Sequence, residues 1–504
     1  MNDLSHLTPL QRILIGIAVM LPALMQVLDT TIVNVALPYM QGSLGANPDQ
    51  ISWILTSYMV ASAIFMPLTG YLNDKLGIRN YLLLSIVCFI INSVLCGLSQ
   101  NLSQIVFFRL LQGISGAALI PLAQAVLTAI FPKHQRAKAM ALWGFVIMIG
   151  PISGPTLGAY LVEIANWRWV FFINIPLGIF AYVLASQMIS STLTKERAMD
   201  WLGLVFISIF IGSLQYFLDR GSSQDWFNAW NIRFAMLLSV GCLLAFIIHN
   251  IFKPKNIVFD LSIFKDRNFT LASLLIGIMD LCMFGVLVLQ PLMLENLFNY
   301  SILTTGLIMA PRGIAGLLGM IFIGKIGHRF HPKVMIAIAC LFSIVSLISY
   351  THLTLDASPI SFVWPMLIQG FCVSVIFAAT SSIAFSTLAP KFVVEGAGLF
   401  SLIRTLSGSL GISITLAIFT QKSQVFWNQL GGFINPYNPA MEHYLANLQN
   451  IQNASLAFQV LGLTLKNQVQ MLAFTNTFMF IKWCLIIMLV LVFLIRKSDM
   501  SVPG

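Results

Sequence analysis

Charge is what this sequence has least of. Asp, Glu, Lys and Arg make up 9% of its 504 residues against 58% hydrophobic ones, a balance that leaves too little polar surface for a water-soluble globule. It also lacks a G-x-x-x-x-G-K-[ST] phosphate loop, an H-E-x-x-H motif and any polar stretch large enough for a separate nucleotide-binding domain. Those absences argue against an ATP-driven pump or a membrane hydrolase, and no enzyme is expected. The seven cysteines sit in apolar runs at irregular spacing, which reads as buried small hydrophobes, with neither a disulfide framework nor a metal site. No basic patch with interleaved aromatics suggests nucleic acid. The first apolar run is too long for a cleavable signal and has no clear small-residue cleavage site, so it is expected to remain as the first helix.

What the chain has is long apolar runs. Stretches of about 20 apolar residues cross ~30 Å of hydrocarbon at ~1.5 Å per residue. Fourteen such runs begin near Ile13, Ile51, Tyr81, Gln104, Lys138, Phe171, Trp201, Arg233, Phe269, Thr304, Val334, Ser361, Phe392 and Met471. The expected fold is an all-α integral membrane protein with 14 transmembrane helices. An even number puts both termini on one side. Assigning alternate loops and both tails to the cytoplasm leaves five basic residues outside (Arg168, Arg220, Arg233, Lys422, Lys466) and four within runs, with the other 18 of 27 inside. That bias sets the orientation, both termini cytoplasmic, and makes the net charge of +10 mostly a matter of topology.

The two halves of the chain repeat one another. "GYLNDKLGIR" (70–79) is echoed by "GKIGHRFHPK" (324–333), "LLQGISGAALIPLAQAVLTAIFPK" (110–133) by "LIQGFCVSVIFAATSSIAFSTLAPK" (367–391), and Gly150 falls on Gly408. The offset grows only from 254 to 258 residues, as a duplicated six-helix unit requires. The expected organisation is an N-terminal six-helix bundle at 1–190, two inserted helices (the seventh and eighth) with flanking cytoplasmic loops at 191–268, and a C-terminal six-helix bundle at 269–504. The last includes an extracytoplasmic loop at about 421–470, rich in Asn and Gln and too long for a simple connection, with a candidate helix over 442–465. Parallel duplication in a membrane protein suggests two halves rocking about a site between them.

Gly70, Leu72, Asp74, Lys75, Gly77 and Arg79 follow the spacing G-x-L-x-D-K-x-G-x-R, which resembles the signature loop of the major facilitator superfamily. "RLLQGISGAA", with Arg109, Gln112, Gly113 and Gly116, is similar to that superfamily's R-x-x-Q-G pattern. "GPISGPTLG", with Gly150, Pro151, Gly154, Pro155 and Gly158, resembles the antiporter motif of its exporters. With "LDTTIVNVALP" (28–38), "WRWVFFINIPLG" (167–178) and "SLQYFLDRGSSQDWF" (213–227), the resemblance runs from about residue 20 to about 425 and narrows to the fourteen-helix drug:proton antiporters of the EmrB type.

That resemblance implies a secondary active exporter of small lipophilic substrates in a bacterial cytoplasmic (inner) membrane. The proton gradient is its energy source, it needs no cofactor, and a periplasmic adaptor and an outer-membrane channel are its implied partners. It also implies that the 70–79 loop latches the cytoplasmic side, although Ile78 stands where the family often has a base and the second copy has His328 in place of the acid. On their own physics, five Gly and Pro within nine residues weaken the helix ladder and let a partner approach, as a hinge, a seal or a static packing motif. Lys75, Arg79, Lys325 and Lys333 read equally as topological anchors.

Six ionisable residues lie deep within runs: Asp29, Arg109, Asp280, Arg312, Arg404 and Lys482. Depths of ~14 Å for Asp29 and ~8 Å for Arg109 suggest one pair; ~15 Å for Asp280 and ~13 Å for Arg312 suggest a second. Arg404 reads as a cavity residue or as a tie to a carbonyl or to Asp280, and Lys482 as a snorkelling or locally packed base. A carboxylate exposed alternately to each side carries protons, which makes Asp29, tuned by Arg109, the expected coupling group and Asp280 the second; a permanent salt bridge is the alternative. Tyr58, Gln112, Gln124, Arg312, Gln369 and Arg404 are the expected cavity residues, with Trp53 and Met283 as apolar contacts. Four intramembrane bases against two acids favour lipophilic weak acids over organic cations. The competing readings are an importer, an exporter of a specific metabolite, siderophore or lipid, and a non-transporting receptor.

Overall fold

The computed structural model describes the chain apart from residues 1–7, 47, 132–134, 191–198, 222–223, 225, 253–259, 328, 435–437, 440, 442–453 and 496–504. His328 and the side chains of Pro151 and Pro155 therefore lie outside the described set. Among the described residues, thirteen helices are long and apolar enough to cross a membrane, and Arg136–Ile164, of 29 residues, is long enough to be a fourteenth. In chain order they are α1 (Pro9–Leu44), α2 (Trp53–Leu76), α3 (Ile78–Leu98), α4 (Leu102–Ile130), α5 (Arg136–Ile164), α6 (Trp169–Met188) and α7 (Trp201–Gly221). They continue as α8 (Trp230–Phe252), α9 (Arg267–Asn296), α10 (Ile302–Ile326), α11 (Pro332–Thr351), α12 (Ile360–Ala384), α13 (Pro390–Gly431) and α14 (Ala454–Val492). The order matches the fourteen apolar runs. Side chains such as Trp201, Leu237, Phe252 and Leu307 are each two-thirds or more exposed, and they form the belt that hydrocarbon covers.

Two helices depart from expectation. α13 and α14 run for 42 and 39 residues, about 60 Å each and twice the hydrocarbon thickness. The segment expected as an external loop at 421–470 is thus helical as far as Gly431 and again from Ala454. Of the candidate helix over 442–465, the described part belongs to α14. Hydropathy marks only the apolar middle of such helices, and their polar extensions carry the composition of a loop.

Proline sets the breaks. α2 tightens to a 3₁₀ turn at Met66–Leu68 around Pro67. α4 is interrupted at Ala117 and Ala118, four residues before Pro121, which has no N–H for the ladder. Gln26 on α1 answers part of that gap by accepting the Ile120 N–H at 3.3 Å.

Glycine decides which helices touch. Gly150, Gly154 and Gly158 lie along one face of α5, and a Cβ on each would run into Val27, Thr31 and Ile32 of α1 respectively. The whole 150–158 motif stays helical, with the Thr31 hydroxyl donating to the Gly150 carbonyl at 3.2 Å. In the second repeat Gly408 and Gly411 of α13 meet Phe284 and Leu281 of α9 in the same way. The duplicated Gln-Gly pair behaves alike in both copies: Gly113 of α4 lies against the Tyr58 carbonyl of α2, and Gly370 of α12 against the Arg312 carbonyl of α10. The motif glycines therefore press α5 and α13 onto the two helices that carry the intramembrane acids.

The bundles α1–α6 and α9–α14 meet at the end that carries the 70–79 loop. There Gly70 lies on Glu395, Gly398 on the Met66 carbonyl and Gly144 on Met320, while the Trp143 and Phe377 rings stack with centroids 5.1 Å apart. At the opposite end, the mouth, α7 stands between α2 and α13. α8 packs against α7, and their ends are clasped by His249 Nε2, 2.9 Å from Asp200 Oδ1.

If the α1–α5 seam needs bare glycine, Gly154→Val should lower the apparent melting temperature in detergent, an overpacking cost of about 1–3 kcal/mol. Gly42→Ala, where nothing lies within 4 Å of a new Cβ, should be neutral or slightly stabilising. A Gly154→Val protein as stable as its parent would show that the seam is loose.

Candidate functional site

In the N-terminal bundle α1 presents Asp29 to α4, and the carboxylate is saturated. Arg109 Nη1 donates to Oδ2 at 2.5 Å, while Asn174 Nδ2 of α6 and Gln112 Nε2 donate to Oδ1 at 2.8 and 3.1 Å. Arg109 is fixed in turn: Nη1 also donates to Gln112 Oε1 at 2.8 Å, Nε donates to the Ile54 carbonyl at 3.2 Å, and its guanidinium lies 4.3 Å from the centre of the Tyr58 ring. Asn174 further donates to Ser93 Oγ of α3 at 2.9 Å. Asp29, Arg109, Gln112 and Asn174 have no exposed surface. Five helices thus converge on one ion pair, with a partner on each side of the acid.

The C-terminal bundle is built differently around the same scaffold. Asp280 Oδ2 accepts from Arg404 Nε of α13 at 2.7 Å, whereas Oδ1 has no hydrogen-bond partner. The Arg404 side chain keeps 14% exposure and lies 4.6 Å from the Phe377 ring centre and 5.7 Å from that of Trp143. Trp143 belongs to the other bundle. This acid is therefore one residue removed from the inter-bundle seam, and half of its carboxylate is unengaged.

The expected pairing of Asp280 with Arg312 does not occur. Arg312 Nη1 donates to Gln290 Oε1 at 3.1 Å, and Gln290 Nε2 donates to Tyr350 Oη at 2.9 Å and to Gln369 Oε1 at 3.4 Å. Side chains lean toward a helix's N-terminus, which in α10 is the mouth end, so Arg312 reaches the level of Gln290. Asp280 lies ten residues back along α9, about 15 Å away. Arg404, on a helix that starts from the loop end as α9 does, arrives at the level of Asp280.

Other expected cavity residues are buried in the form described here. Tyr58, Gln112, Gln124 and Gln369, expected to face a substrate cavity, are buried inside the bundles with at most 4% exposure, because buried charge draws Tyr58 and Gln112 inward and Gln290 draws Gln369. Gln124 is buried with neither amide atom hydrogen-bonded. Lys482 lies over the Trp483 ring at 5.1 Å, apart from both networks. In the 70–79 loop, Gly77 adopts φ 75°, a turn that favours glycine, and Arg79 Nη2 donates to the Ser186 carbonyl at 2.7 Å, capping α6 of its own bundle. Lys75 is exposed, and Asp74 lies on the last turn of α2. Across the seam, Gly70 lies against Glu395 in the first turn of the α13 helix.

Glu395, Trp143, Gln290 and Tyr350 carried no sequence signal that singled them out. Asn174 lies inside the quoted 167–178 segment, and an Asn among aromatics in a membrane run is a signal that depth matching could have used.

Two helical bundles, each with a charge pair inside and both glycine-sealed, form the architecture of a secondary transporter. The family model described as Major Facilitator Superfamily matches residues 19–412, and the chain belongs to that superfamily. It is 36% identical over 458 residues to the multidrug export protein EmrB of Escherichia coli (strain K12), covering 90% of this chain and 88% of that one. It is 33% identical over 430 residues to the fatty acid resistance protein FarB of Neisseria gonorrhoeae, covering 85% of each. Among solved structures, the human organic anion transporter MFSD10 superposes with a TM-score of 0.63 at 14% identity, covering 95% of this chain and all of that one. The proton:xylose symporter XylE gives 0.55, also at 14% identity, covering 83% and 90%. Both structural likenesses speak to the fold.

Removing one partner of a buried pair leaves an uncompensated charge, at a cost of about 3–5 kcal/mol. Arg109→Ala should therefore destabilise the protein more than Arg404→Ala, whose guanidinium is part-exposed. Apparent melting temperatures of the two variants in micelles check this; the reverse order would mean that the Asp29 pair is not structural.

Proposed function

We propose that this chain is a proton-coupled exporter of lipophilic compounds, weak acids among them, that works by alternating access and without covalent chemistry. Its 36% identity to a multidrug export protein and its likeness to a fatty acid resistance protein support the cargo class. The excess of intramembrane bases points to acids, with Arg312, whose partner is neutral, as the attraction for an anionic group. By the Lys/Arg bias the loop end faces the cytoplasm of a bacterial inner membrane, and both termini with it. The form described here is then closed toward the cytoplasm. The helical extensions of α13 and α14 beyond the membrane are the surfaces a periplasmic adaptor would meet.

The observation that carries the coupling step is the unengaged Oδ1 of Asp280. A carboxylate with a free oxygen can take a proton without first losing a donor, whereas Asp29 would have to shed one. Protonation of Asp280 cancels its attraction for Arg404, which stands against Trp143 across the seam, so proton occupancy and seam contact change together. Asp280 is the coupling group on this reading, and Asp29 with Arg109 holds the N-terminal bundle rigid. One proton falling through ~180 mV supplies about 4 kcal/mol, sufficient for a thousandfold gradient of neutral cargo.

Vesicles containing the purified protein, given an imposed pH gradient and offered acidic and cationic lipophiles, test this. Gradient-driven uptake of the acids should vanish in Asp280→Asn while downhill exchange persists; Asp29→Asn should reduce protein stability along with transport. Full gradient-driven uptake by Asp280→Asn would remove that residue from the mechanism. Preference for cations would overturn the weak-acid reading.

A further inference from the structure

The α7–α8 hairpin has no counterpart in either six-helix repeat, yet at the mouth it touches both bundles. On the C-terminal side it makes two hydrogen bonds and an apolar contact. Gln215 Nε2 donates to Ser409 Oγ at 2.8 Å, Ser413 Oγ donates to the Leu218 carbonyl at 2.8 Å, and Leu410 packs into the small core of Phe217, Leu218, Ile232 and Ala235. On the N-terminal side, Thr56 Oγ1 in the first turn of α2 donates to Asp219 Oδ2 at 2.7 Å. The other oxygen of Asp219 accepts from Gln215 Nε2 at 3.1 Å, so the residue that grips α13 also orients the carboxylate toward α2.

This arrangement meets a geometric conflict if the bundles rock. In the form described here they touch at the loop end and are bridged by α7 at the mouth. Opening the loop end brings the mouth ends of α2 and α13 toward each other, and α7 cannot keep its register on both. α7 packs along both α2 and α13, but two hydrogen bonds and the Leu410 contact tie it to α13 against the one hydrogen bond to Thr56, and that single bond is the one to part. We propose that Asp219 is a positioning residue of the transport cycle, carried by a hairpin that moves with the C-terminal bundle, and that its bond to Thr56 stabilises the mouth-open form. The inference rests on the alternating-access reading above.

A cysteine at Ala141 reports on it. Ala141 is buried in the loop-end seam opposite Gly324, so a polar maleimide reaches it only when that end opens. In full-length protein in lipid nanodiscs, labelling at Ala141→Cys, quantified by mass spectrometry, should rise about three- to tenfold in Thr56→Val and in Asp219→Ala, the worth of one hydrogen bond. The double variant should rise no further. In a separate protein carrying Thr56→Cys and Asp219→Cys, a short bifunctional thiol reagent should stop transport in vesicles, and cleaving the link should restore it. Unchanged labelling in both single variants, additive rises in the double, or transport that continues while cross-linked would each overturn the interlock. A parent protein in which the Ala141→Cys site never labels, with or without cargo, would instead sink alternating access and the interlock with it.

Discussion

A charge cannot be left alone in hydrocarbon, and most of this architecture follows from where its compensation comes from. An acid on one helix must be answered by a base on another, so each intramembrane carboxylate becomes a tie between helices distant in sequence. Asp29 binds α1 to α4 and α6, and Asp280 binds α9 to α13. The glycine faces of α5 and α13 then bring backbone against the helix that carries the acid, and the Asp29–Arg109 pair is left with no exposed surface. Charge pairing and glycine packing are one device here: the first sets which helices meet, the second sets how near.

The duplicated scaffold carries unequal chemistry. Gly113 and Gly370 make the same helix contact in the two bundles, but the residue whose carbonyl they touch is Tyr58 in one and Arg312 in the other. In the N-terminal copy an ion pair whose acid has both oxygens engaged sits at the centre of five helices. In the C-terminal copy the ion pair has moved to the edge, beside the Trp143–Phe377 stack, and a glutamine-held arginine takes the interior. On the proposed reading, this divergence gives one half a stiff body and the other a carboxylate whose state is felt at the seam.

Much of this was legible from residue types. Fourteen spans, the duplication and the glycine motif all follow from apolar runs, spacing and offset, because hydrocarbon thickness and the absence of water leave few alternatives. Depth counting placed Asp29 opposite Arg109 correctly, since both positions are short distances from well-marked helix ends. The same counting failed for Arg312, because depth ignores the direction in which side chains lean along antiparallel helices. It also missed the extensions of α13 and α14, whose polar turns carry no hydropathy signal.

The sequence by itself determined that this chain lies in a membrane, how many times it crosses, that it is built twice over, and which residues bear charge where charge is costly. These are properties of composition and spacing, and the bilayer reads them directly. Only the tertiary structure decided which base answers which acid, that Asp29 is saturated while Asp280 keeps an oxygen open, and that the inserted hairpin grips both bundles. Those outcomes depend on which helix faces meet and at what level, a three-dimensional choice that residues hundreds of positions apart make jointly and that no local pattern records.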